Sequence, residues 1–297
     1  MIKLKKDYLQ IITAFDNTIR IYLINSTNLV NKASKTKMMY PTAIAALGRT
    51  LSVTLMMGQM LKGDQTIAVK VEGDGPLGKI VTEADTSGNV MGYVQNGEVY
   101  LKYNDHKLNV GDAVGRNGFI TVVKDLHLKE PFVSSTPIIS GELAEDFTYY
   151  FTVSEQVPSS VSLGVLVSNE NEVISAGGFI VQVMPNCKDE TIDLLMKKLQ
   201  DVKPVSELIL ENNNLEEIAK LIIGDDVKYE ILKTIDVDYK CRCSKETFRK
   251  GLKSLGKDTL LKMYKEDHQI ETTCQYCGKK YLFDEEELKK ILDEIKS

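Results

Sequence analysis

Four of the five cysteines in this sequence stand in two close pairs, Cys241 with Cys243 and Cys274 with Cys277. A thiolate sulfur binds Zn²⁺ at about 2.3 Å, and a tetrahedral ion takes four such ligands. A C-x-C pair and a C-x-x-C pair can each hold one side of an ion and so join two distant points of the chain. The alternatives are four free thiols or two structural disulfides, but an ordinary core does not group its cysteines in this way. We therefore predict that these four cysteines bind one Zn²⁺ ion.

The remaining cysteine and the histidines do not indicate a catalytic centre. Four thiolates complete the shell of a zinc ion, whereas a catalytic zinc keeps one position open for water. His268 precedes Cys274 but is not needed as a ligand, and we interpret it as a surface histidine. His106 and His127 stand in strand or loop context with no nucleophile beside them in the sequence. Cys187 is interpreted as an ordinary thiol at the start of a helix, so no catalytic residue and no enzyme activity are predicted.

Three roles of the cysteine cluster remain open at this point: a structural zinc knuckle, a nucleic-acid-binding ribbon and a redox switch. The charges around the cysteines are nearly balanced and form no basic stripe, which weakens the nucleic-acid interpretation. Thiolates are the form of cysteine that oxidants attack. In a tetrahedral site with bonds near 2.3 Å, neighbouring sulfurs lie only about 3.8 Å apart. An oxidised sulfur would therefore have a thiolate beside it, and each disulfide formed would remove two metal ligands.

Length and composition limit the remaining possibilities. With 297 residues, the chain has room for one large domain and a smaller one. A content of 43% hydrophobic and 27% charged residues, with a net charge of −5, is typical of a globular protein without a strong field for polyanions. The basic residues 1–6 lack the apolar run of a secretory signal, and no apolar stretch of about twenty residues follows. Because cysteines grouped for a metal favour a reducing compartment, we expect a cytoplasmic protein with neither a membrane nor a nucleic-acid partner.

The first part of the sequence has the pattern of a sheet with helices packed against it. Residues 18–24 alternate and are rich in β-branched side chains, as expected for a strand. Pro41 suits the first turn of an apolar helix, which we predict from Ala43 to about Leu61. Alternating segments and turn signals between Gln65 and Val123 predict an antiparallel meander. One strand of this meander is expected at residues 98–103.

A glycine-rich segment in this meander imitates a dinucleotide-binding motif. Residues 73–78 fit G-x-G-x-x-G, but that fingerprint needs a helix directly after it, whose N-terminus binds the pyrophosphate. A strand is predicted here instead, and Pro76 removes one amide from the loop. We therefore do not predict nucleotide binding.

The sequence divides into three predicted parts. Apolar runs at residues 161–167 and 173–184 indicate buried strands, which complete an α+β domain of residues 1–184. Residues 185–224, called the connector below, form a helical linker with amphipathic helices. Residues 225–297 form a small zinc-binding module. A module of this size has a thin core, and zinc-binding free energies of roughly 10–16 kcal/mol in small metallopeptides exceed what such a core supplies.

The cysteine spacing resembles that of the redox-regulated holdase chaperone family known as heat shock protein 33. Segments of the N-terminal part are also similar to that family, and together with the cysteines they span nearly the whole chain. These segments are Tyr40–Thr42, Leu47–Arg49, Gly73–Gly78, Ser140–Asp146, Tyr149–Tyr150, Ser154–Ser159 and Ala176–Pro185. The sequence departs from the family pattern at Asn186 and Cys187, where small residues are more usual. This departure adds a thiol but leaves the four predicted ligands intact.

The resemblance implies an ATP-independent cytoplasmic chaperone that is inactive while reduced and zinc-bound. Oxidation would form the disulfides Cys241–Cys243 and Cys274–Cys277, release the zinc and loosen the connector. The exposed apolar surface would then hold unfolding client proteins and prevent their aggregation, and the active form would be a homodimer. The alternative that remains is a constitutive zinc-ribbon protein that binds another protein or is associated with nucleic acid.

The connector, together with the residues that follow it up to about Val237, is expected to keep such a switch inactive and to form part of its client-binding surface. Isolated helices of under about twelve residues are marginal in water, so contacts at both ends must stabilise the connector. Loss of zinc would remove the contact with the zinc module. The apolar residues expected to become available are Ile192, Leu195, Met196, Leu199, Leu215, Ile218, Leu221 and Ile222.

Overall fold

The computed structural model describes residues 6–105, 107–212 and 214–295. It has two compact units, Met1–Lys240 and Cys241–Ser297. The helices of the first unit are α1 (Thr27–Ser34), α2 (Pro41–Gly58), α3 (Val110–Val114), α4 (Leu143–Val153), α5 (Asp189–Asp201), α6 (Val205–Glu211) and α7 (Leu215–Ile223). Its strands are β1 (Tyr8–Ala14), β2 (Ile19–Asn25), β3 (Thr66–Glu72), β4 (Lys79–Asp85), β5 (Asn89–Val94), β6 (Phe119–Asp125), β7 (Phe132–Pro137), β8 (Ser159–Val167), β9 (Val173–Val183), β10 (Tyr229–Asp236) and β11 (Asp238–Tyr239).

Helix α2 is the structural centre of the first unit, because it packs against strands of both sheets. Pro41 occupies its first turn, where the missing amide hydrogen costs nothing, and Arg49 is its one charged residue. The helix predicted from the apolar run is thus confirmed. A Cβ atom at Gly48 would lie 2.6 Å from Cγ1 of Val30 and 2.9 Å from Cγ2 of Val165, so only glycine allows this close approach.

The first sheet is antiparallel, with the strand order β10-β1-β2-β9-β8. Strands β2 and β9 are buried along almost their whole length, because α2 covers one face and the connector helices cover the other. Ile209 of α6 and Ile222 of α7 are buried in this second layer together with Leu23 and Phe179 of the sheet. The apolar stripes of the connector therefore rest on the first sheet.

The second sheet has the strand order β11-β5-β4-β3-β6-β7. Buried and partly exposed residues alternate along β3 and β4, as in strands with one face on a core and one towards water. The Gly73–Gly78 segment leads directly into β4, so it lacks the helix of a dinucleotide-binding fingerprint, as predicted. Short strand β11 pairs in parallel with β5.

Asp7 ties the start of the first sheet to helix α1. Its carboxylate accepts hydrogen bonds from the backbone N–H groups of Asn28 (3.0 Å) and Leu29 (2.6 Å), and from Nδ2 of Asn28 (2.8 Å). Burial raises the pKa of Asp7 to about 6, against the lowering effect of these hydrogen bonds. The sequence pattern gave no indication of this buried carboxylate.

The structure differs from the sequence-based expectations in several segments. Residues 229–236, which were grouped with the cysteine module, form β10 and pair with β1 in the first unit. Helix α6 begins directly after Pro204, which separates it from α5. The three-part division into residues 1–184, 185–224 and 225–297 stays a prediction about functional parts.

The strand predicted at residues 98–103 is wrong. The N–H of Leu101 donates to Oγ1 of Thr42 (2.9 Å), and its carbonyl accepts from that hydroxyl (2.8 Å) and from the N–H of Asn109 (2.9 Å). Tyr103 N–H donates to the carbonyl of Lys107 (2.8 Å), which closes a local loop. This segment satisfies its backbone groups through helix α2 and through itself.

The second unit contains helices α8 (Lys245–Ser254), α9 (Lys257–Asp267) and α10 (Glu285–Glu294), with the strands β12 (Ile270–Thr273) and β13 (Lys280–Phe283). Strands β12 and β13 form an antiparallel hairpin. Asp284 and Glu287 form a capping box at the start of α10, and three glutamates in the first turn favour the positive end of the helix dipole. The small core consists of Leu252, Leu260, Ile270, Tyr281, Phe283, Leu288, Ile291 and Leu292.

Candidate metal centre

The two cysteine pairs are held by different kinds of local structure. Cys241 and Cys243 lie in the extended segment before α8, and the Ser244 side chain caps that helix. Cys274 and Cys277 lie in the turn of the β12–β13 hairpin. There Gly278 has a φ of +72°, and its N–H donates to the carbonyl of Cys274 (2.9 Å). The positive φ explains why glycine follows the second pair.

All four sulfur atoms converge. The Sγ atoms of Cys241, Cys243, Cys274 and Cys277 lie within 4.8 Å of one another. The Sγ atoms of Cys241 and Cys274 are 3.6 Å apart, and those of Cys243 and Cys277 are 3.4 Å apart. Sulfurs bound to one tetrahedral zinc ion would be about 3.8 Å apart. The spacing therefore fits a four-thiolate metal site, as the sequence predicted for this cluster.

Without a cation, the surroundings of the cluster favour the neutral form of two of its thiols. Burial raises the pKa of Cys241 and of Cys277. Burial acts in the same sense on Cys243, but hydrogen bonds from the Tyr281 hydroxyl and the neighbouring thiols outweigh it and lower the pKa of Cys243. Four mutually close sulfurs can carry their negative charges together only beside a cation. The cluster can thus hold a metal ion, and soft thiolates suit zinc among the common metals.

Tyr281 contacts the cysteine cluster, which the sequence analysis did not predict. Its hydroxyl lies 3.2 Å from Sγ of Cys243 and donates to the carbonyl of the same residue (3.2 Å). Its ring packs against Phe248, with 5.1 Å between the ring centroids, so one side chain joins the cluster to the core of the unit. The spacing of the cysteines gives no indication that a tyrosine on the following strand contacts one of the sulfurs.

The other residues considered for chemistry lie outside the cluster. His268 ends helix α9 and packs its ring against Tyr264, with 5.4 Å between centroids. His127 Nε2 lies 2.8 Å from an Asp64 carboxylate oxygen on the exposed surface. His106 lies outside the described residues. Cys187 is partly buried against the core that the connector shares with the first sheet.

None of the helices in the described part of the chain combines the length and the apolar character that crossing a bilayer requires.

Comparisons with known proteins agree over nearly the whole chain. The family model "Hsp33 protein" matches residues 7–284. The "33 kDa chaperonin" of Staphylococcus carnosus is 48% identical over 292 residues, covering 98% of this chain and 99% of the relative. That of Bacillus pumilus is 45% identical over 290 residues, covering 97% and 99%. The crystal structure of the 33 kDa chaperonin (heat shock protein 33 homolog) from Thermotoga maritima superposes with a TM-score of 0.87. That protein is 35% identical, with 97% of this chain and 98% of the other covered. The resemblance found in the sequence is confirmed, and the chain belongs to the Hsp33 family of chaperones.

Proposed function

We propose that this chaperone is a redox-regulated holdase that protects unfolding proteins under oxidative stress without using ATP. The observation that carries the proposal is the convergence of four thiols in a unit with a small apolar core. Cys241, Cys243, Cys274 and Cys277 would bind one zinc ion in the reduced protein. Zinc would keep the thiols deprotonated and would connect the segment before α8 to the β12–β13 hairpin.

Oxidation of the cluster is proposed to open the site. A thiolate attacks hydrogen peroxide to give a sulfenic acid and hydroxide, and a neighbouring thiolate then displaces a second hydroxide to form a disulfide. Each disulfide uses one peroxide, which takes up the two electrons that the pair of thiolates gives up, so two disulfides use two peroxides. Sulfurs committed to disulfides no longer bind the ion, and the unit is left with its small core.

The proposed disulfides are Cys241–Cys243 and Cys274–Cys277. In the structure each sulfur also lies close to one of the other pair, so Cys241–Cys274 and Cys243–Cys277 are the competing products. Sequence neighbours remain adjacent after the unit has loosened, which favours bonds within the pairs. This pairing also rests on the resemblance to the Hsp33 family.

The connector is proposed to link the switch to client binding. Ile192, Leu195, Leu199, Leu215, Ile218 and Ile222 are buried or partly buried. Met196 and Leu221, which the sequence placed in the same apolar set, are already 57% and 49% exposed. Loosening of the connector would therefore enlarge an apolar surface that is already present, and such a surface binds other chains or aggregates. Dimerisation of the active form would bury part of this surface.

The experiment compares full-length protein before and after treatment with hydrogen peroxide. We expect one zinc per reduced chain, release of that zinc on oxidation, and within-pair disulfides by peptide mapping. Light scattering should show that the oxidised protein suppresses aggregation of a heat-unfolded client enzyme without ATP, and dithiothreitol should reverse this effect.

The matched control is Cys187→Ser, which keeps the four-sulfur cluster and should behave as the wild type. Equal suppression by the reduced and oxidised proteins would contradict redox control and favour the constitutive zinc-ribbon alternative. A dominant disulfide between the pairs would overturn the pairing alone.

A further inference from the structure

Strand β8 ends the first sheet and leaves part of one edge without a strand partner. In the β8–β9 ladder, Val183 N–H donates to the carbonyl of Pro158 (2.9 Å), so even-numbered residues of β8 direct their backbone groups towards β9. Odd-numbered residues direct theirs away from the sheet. Val161 follows this rule, because its N–H donates to Oγ1 of Thr148 in α4 (3.1 Å).

Beyond Val161 the outer edge of β8 has no such hydrogen bond, although Leu163 and Val165 are each only 8% exposed. Across the described residues, no hydrogen bond involves the amides of Leu163 and Val165, the next two residues that face outwards. Residues 162–168 instead line a cleft of about 980 Å³. At the strand rise of about 3.4 Å per residue, this stretch of edge is about 20 Å long.

The lining of the cleft also contains aromatic residues. This part of the lining comes from the start of α2 and from residues 100–105 and 107–108, and it includes Tyr40, Tyr100 and Tyr103. Tyr100 is 50% exposed and Tyr103 is 39% exposed. Exposed tyrosines facing an open strand edge offer both apolar contact and hydroxyl groups to a bound chain.

Charged groups in the cleft are largely paired with one another. Arg49 forms an ion pair with Glu142 at 2.8 Å, and Lys107 forms one with Asp105 at 3.1 Å. Nζ of Lys102 lies 5.0 Å from the ring centroid of Tyr100. This balance does not favour a polyanion and suits an uncharged ligand.

The two edges of the first sheet differ in their protection. At the opposite edge, β10 carries Glu230, Lys233 and Asp236, and its ladder with β1 has an irregular register. Charges and bulges are the usual means of preventing an edge from pairing with another chain. Strand β8, with the sequence SSVSLGVLV, has no charged residue. Its edge is therefore chemically suited to accept a strand.

We propose that this cleft binds an extended, uncharged segment of an unfolded polypeptide as an additional strand along β8. The outward N–H and C=O groups of Leu163 and Val165 pair with the backbone of that segment, and the tyrosines contact its side chains. Because backbone groups are common to all sequences, such a site accepts many different clients. The inference rests on the proposed holdase function and assigns a location and a binding mode to it.

The connector limits this cleft on one side. Pro204, Val205, Ser206 and Glu207 belong to its lining, and a Cβ at Gly164 would lie 2.8 Å from the backbone nitrogen of Ser206. The start of α6 thus lies directly on β8, with the Ser175 hydroxyl donating to the Ser206 carbonyl (2.8 Å). Movement of the connector on oxidation would widen the cleft, so strand binding is stronger in the oxidised protein.

The test uses the oxidised full-length chain and a fluorescent, end-capped peptide of alternating threonine and valine. A matched peptide carries N-methyl groups on two adjacent central residues, so neither of its edges can pair continuously. We expect the unmodified peptide to bind about ten-fold more tightly than the methylated one by fluorescence anisotropy. Hydrogen exchange should show new protection of the Leu163 and Val165 amides with the unmodified peptide only.

A pair of exposed aromatic residues provides matched variants. Tyr100→Ala, in the cleft, should weaken peptide binding several-fold, whereas Phe119→Ala, which is 57% exposed on the second sheet, should leave it unchanged. Equal binding of the two peptides, or binding without protection of Leu163 and Val165, would overturn the proposal.

The client-aggregation assay separates this proposal from the holdase function. Suppression of aggregation without peptide binding overturns the β8 site and leaves the holdase function standing. Peptide binding with the expected amide protection, but without suppression, supports the β8 site and overturns the holdase function.

Discussion

The two units of this protein are stabilised in different ways. The first unit buries helix α2 between two sheets and covers the outer face of the first sheet with the connector, so its core is apolar and extensive. The second unit has only the small core around Phe283 and Leu288, with four sulfurs beside it. Under the proposed function, an oxidant that reached the four thiols would act on the second unit, where the core is small. The difference predicts that loss of the four-sulfur site would unfold the second unit and leave the first unit folded.

Removal of one sulfur should have the largest effect, and only on the second unit. In Cys274→Ser we expect loss of bound zinc, since apparent zinc-binding free energies in small metal sites are roughly 10–16 kcal/mol. Hydrogen exchange should show lost protection around residues 245–292, while amides of β9 stay protected. If the amides of the second unit stayed protected in zinc-free Cys274→Ser, the view that the two units are stabilised in different ways would be contradicted.

A substitution that creates a cavity between the connector and the first sheet tests how the core of the first unit is packed. Ile222 is fully buried in α7, so Ile222→Ala should lower the free energy of unfolding by about 2–5 kcal/mol in denaturant titrations. Leu221→Ala, one residue earlier and 49% exposed, is the matched control and should change it little. If the connector keeps the switch inactive, Ile222→Ala should also suppress client aggregation under reducing conditions. Equal effects of the two variants would contradict the packing described here.

The free energy of unfolding of the first unit should depend on pH through the protonation of Asp7. Because burial raises the pKa of this acid from 3.8 to about 6, the folded state binds the proton more tightly than the unfolded state. Asp7 should therefore make the protein more stable as pH falls from about 7 to 4, by up to about 3 kcal/mol. Asp7→Asn should remove this part of the pH dependence in denaturant titrations. An identical slope in the variant would contradict the assignment.

The smallest predicted effect concerns the contact between the cluster and its core. Tyr281→Phe keeps the ring packing but removes the hydroxyl near Cys243, so zinc affinity should fall by about ten-fold in competition with a chelator. Tyr264→Phe is the control, because its hydroxyl donates to Glu285 in the same unit. Equal zinc affinities in the two variants would show that the Tyr281 hydroxyl does not contribute to zinc binding and that Tyr281 only packs in the core.

Features that depend on local spacing could be predicted from the sequence. The C-x-C and C-x-x-C pairs indicated the cluster, and Pro41 before an apolar run indicated α2. The signal for the cluster is the spacing of the ligands within each pair, and the signal for α2 is the backbone angle that proline fixes. Both signals come from residues that are close together in the sequence. The α+β class followed from similar local patterns.

Features that depend on distant partners could not be predicted. Strand β10 has three charged residues and acquires its role only by pairing with β1. Asp7 is buried because α1 lies over it, and Tyr281 reaches Cys243 only in the folded second unit.

The pairing of β1 with β10 has a consequence for the synthesis of the chain. Gln10 and Thr234 are opposite each other in this ladder but 224 residues apart in the sequence. At about 5–20 residues per second, a ribosome needs roughly 10–45 s to supply the second strand after the first. Throughout that interval β1 has β2 on one side and an open edge on the other. The nascent chaperone is thus itself a chain with an unpaired strand, and a ribosome that stalls before Tyr229 releases a product that stays in that state.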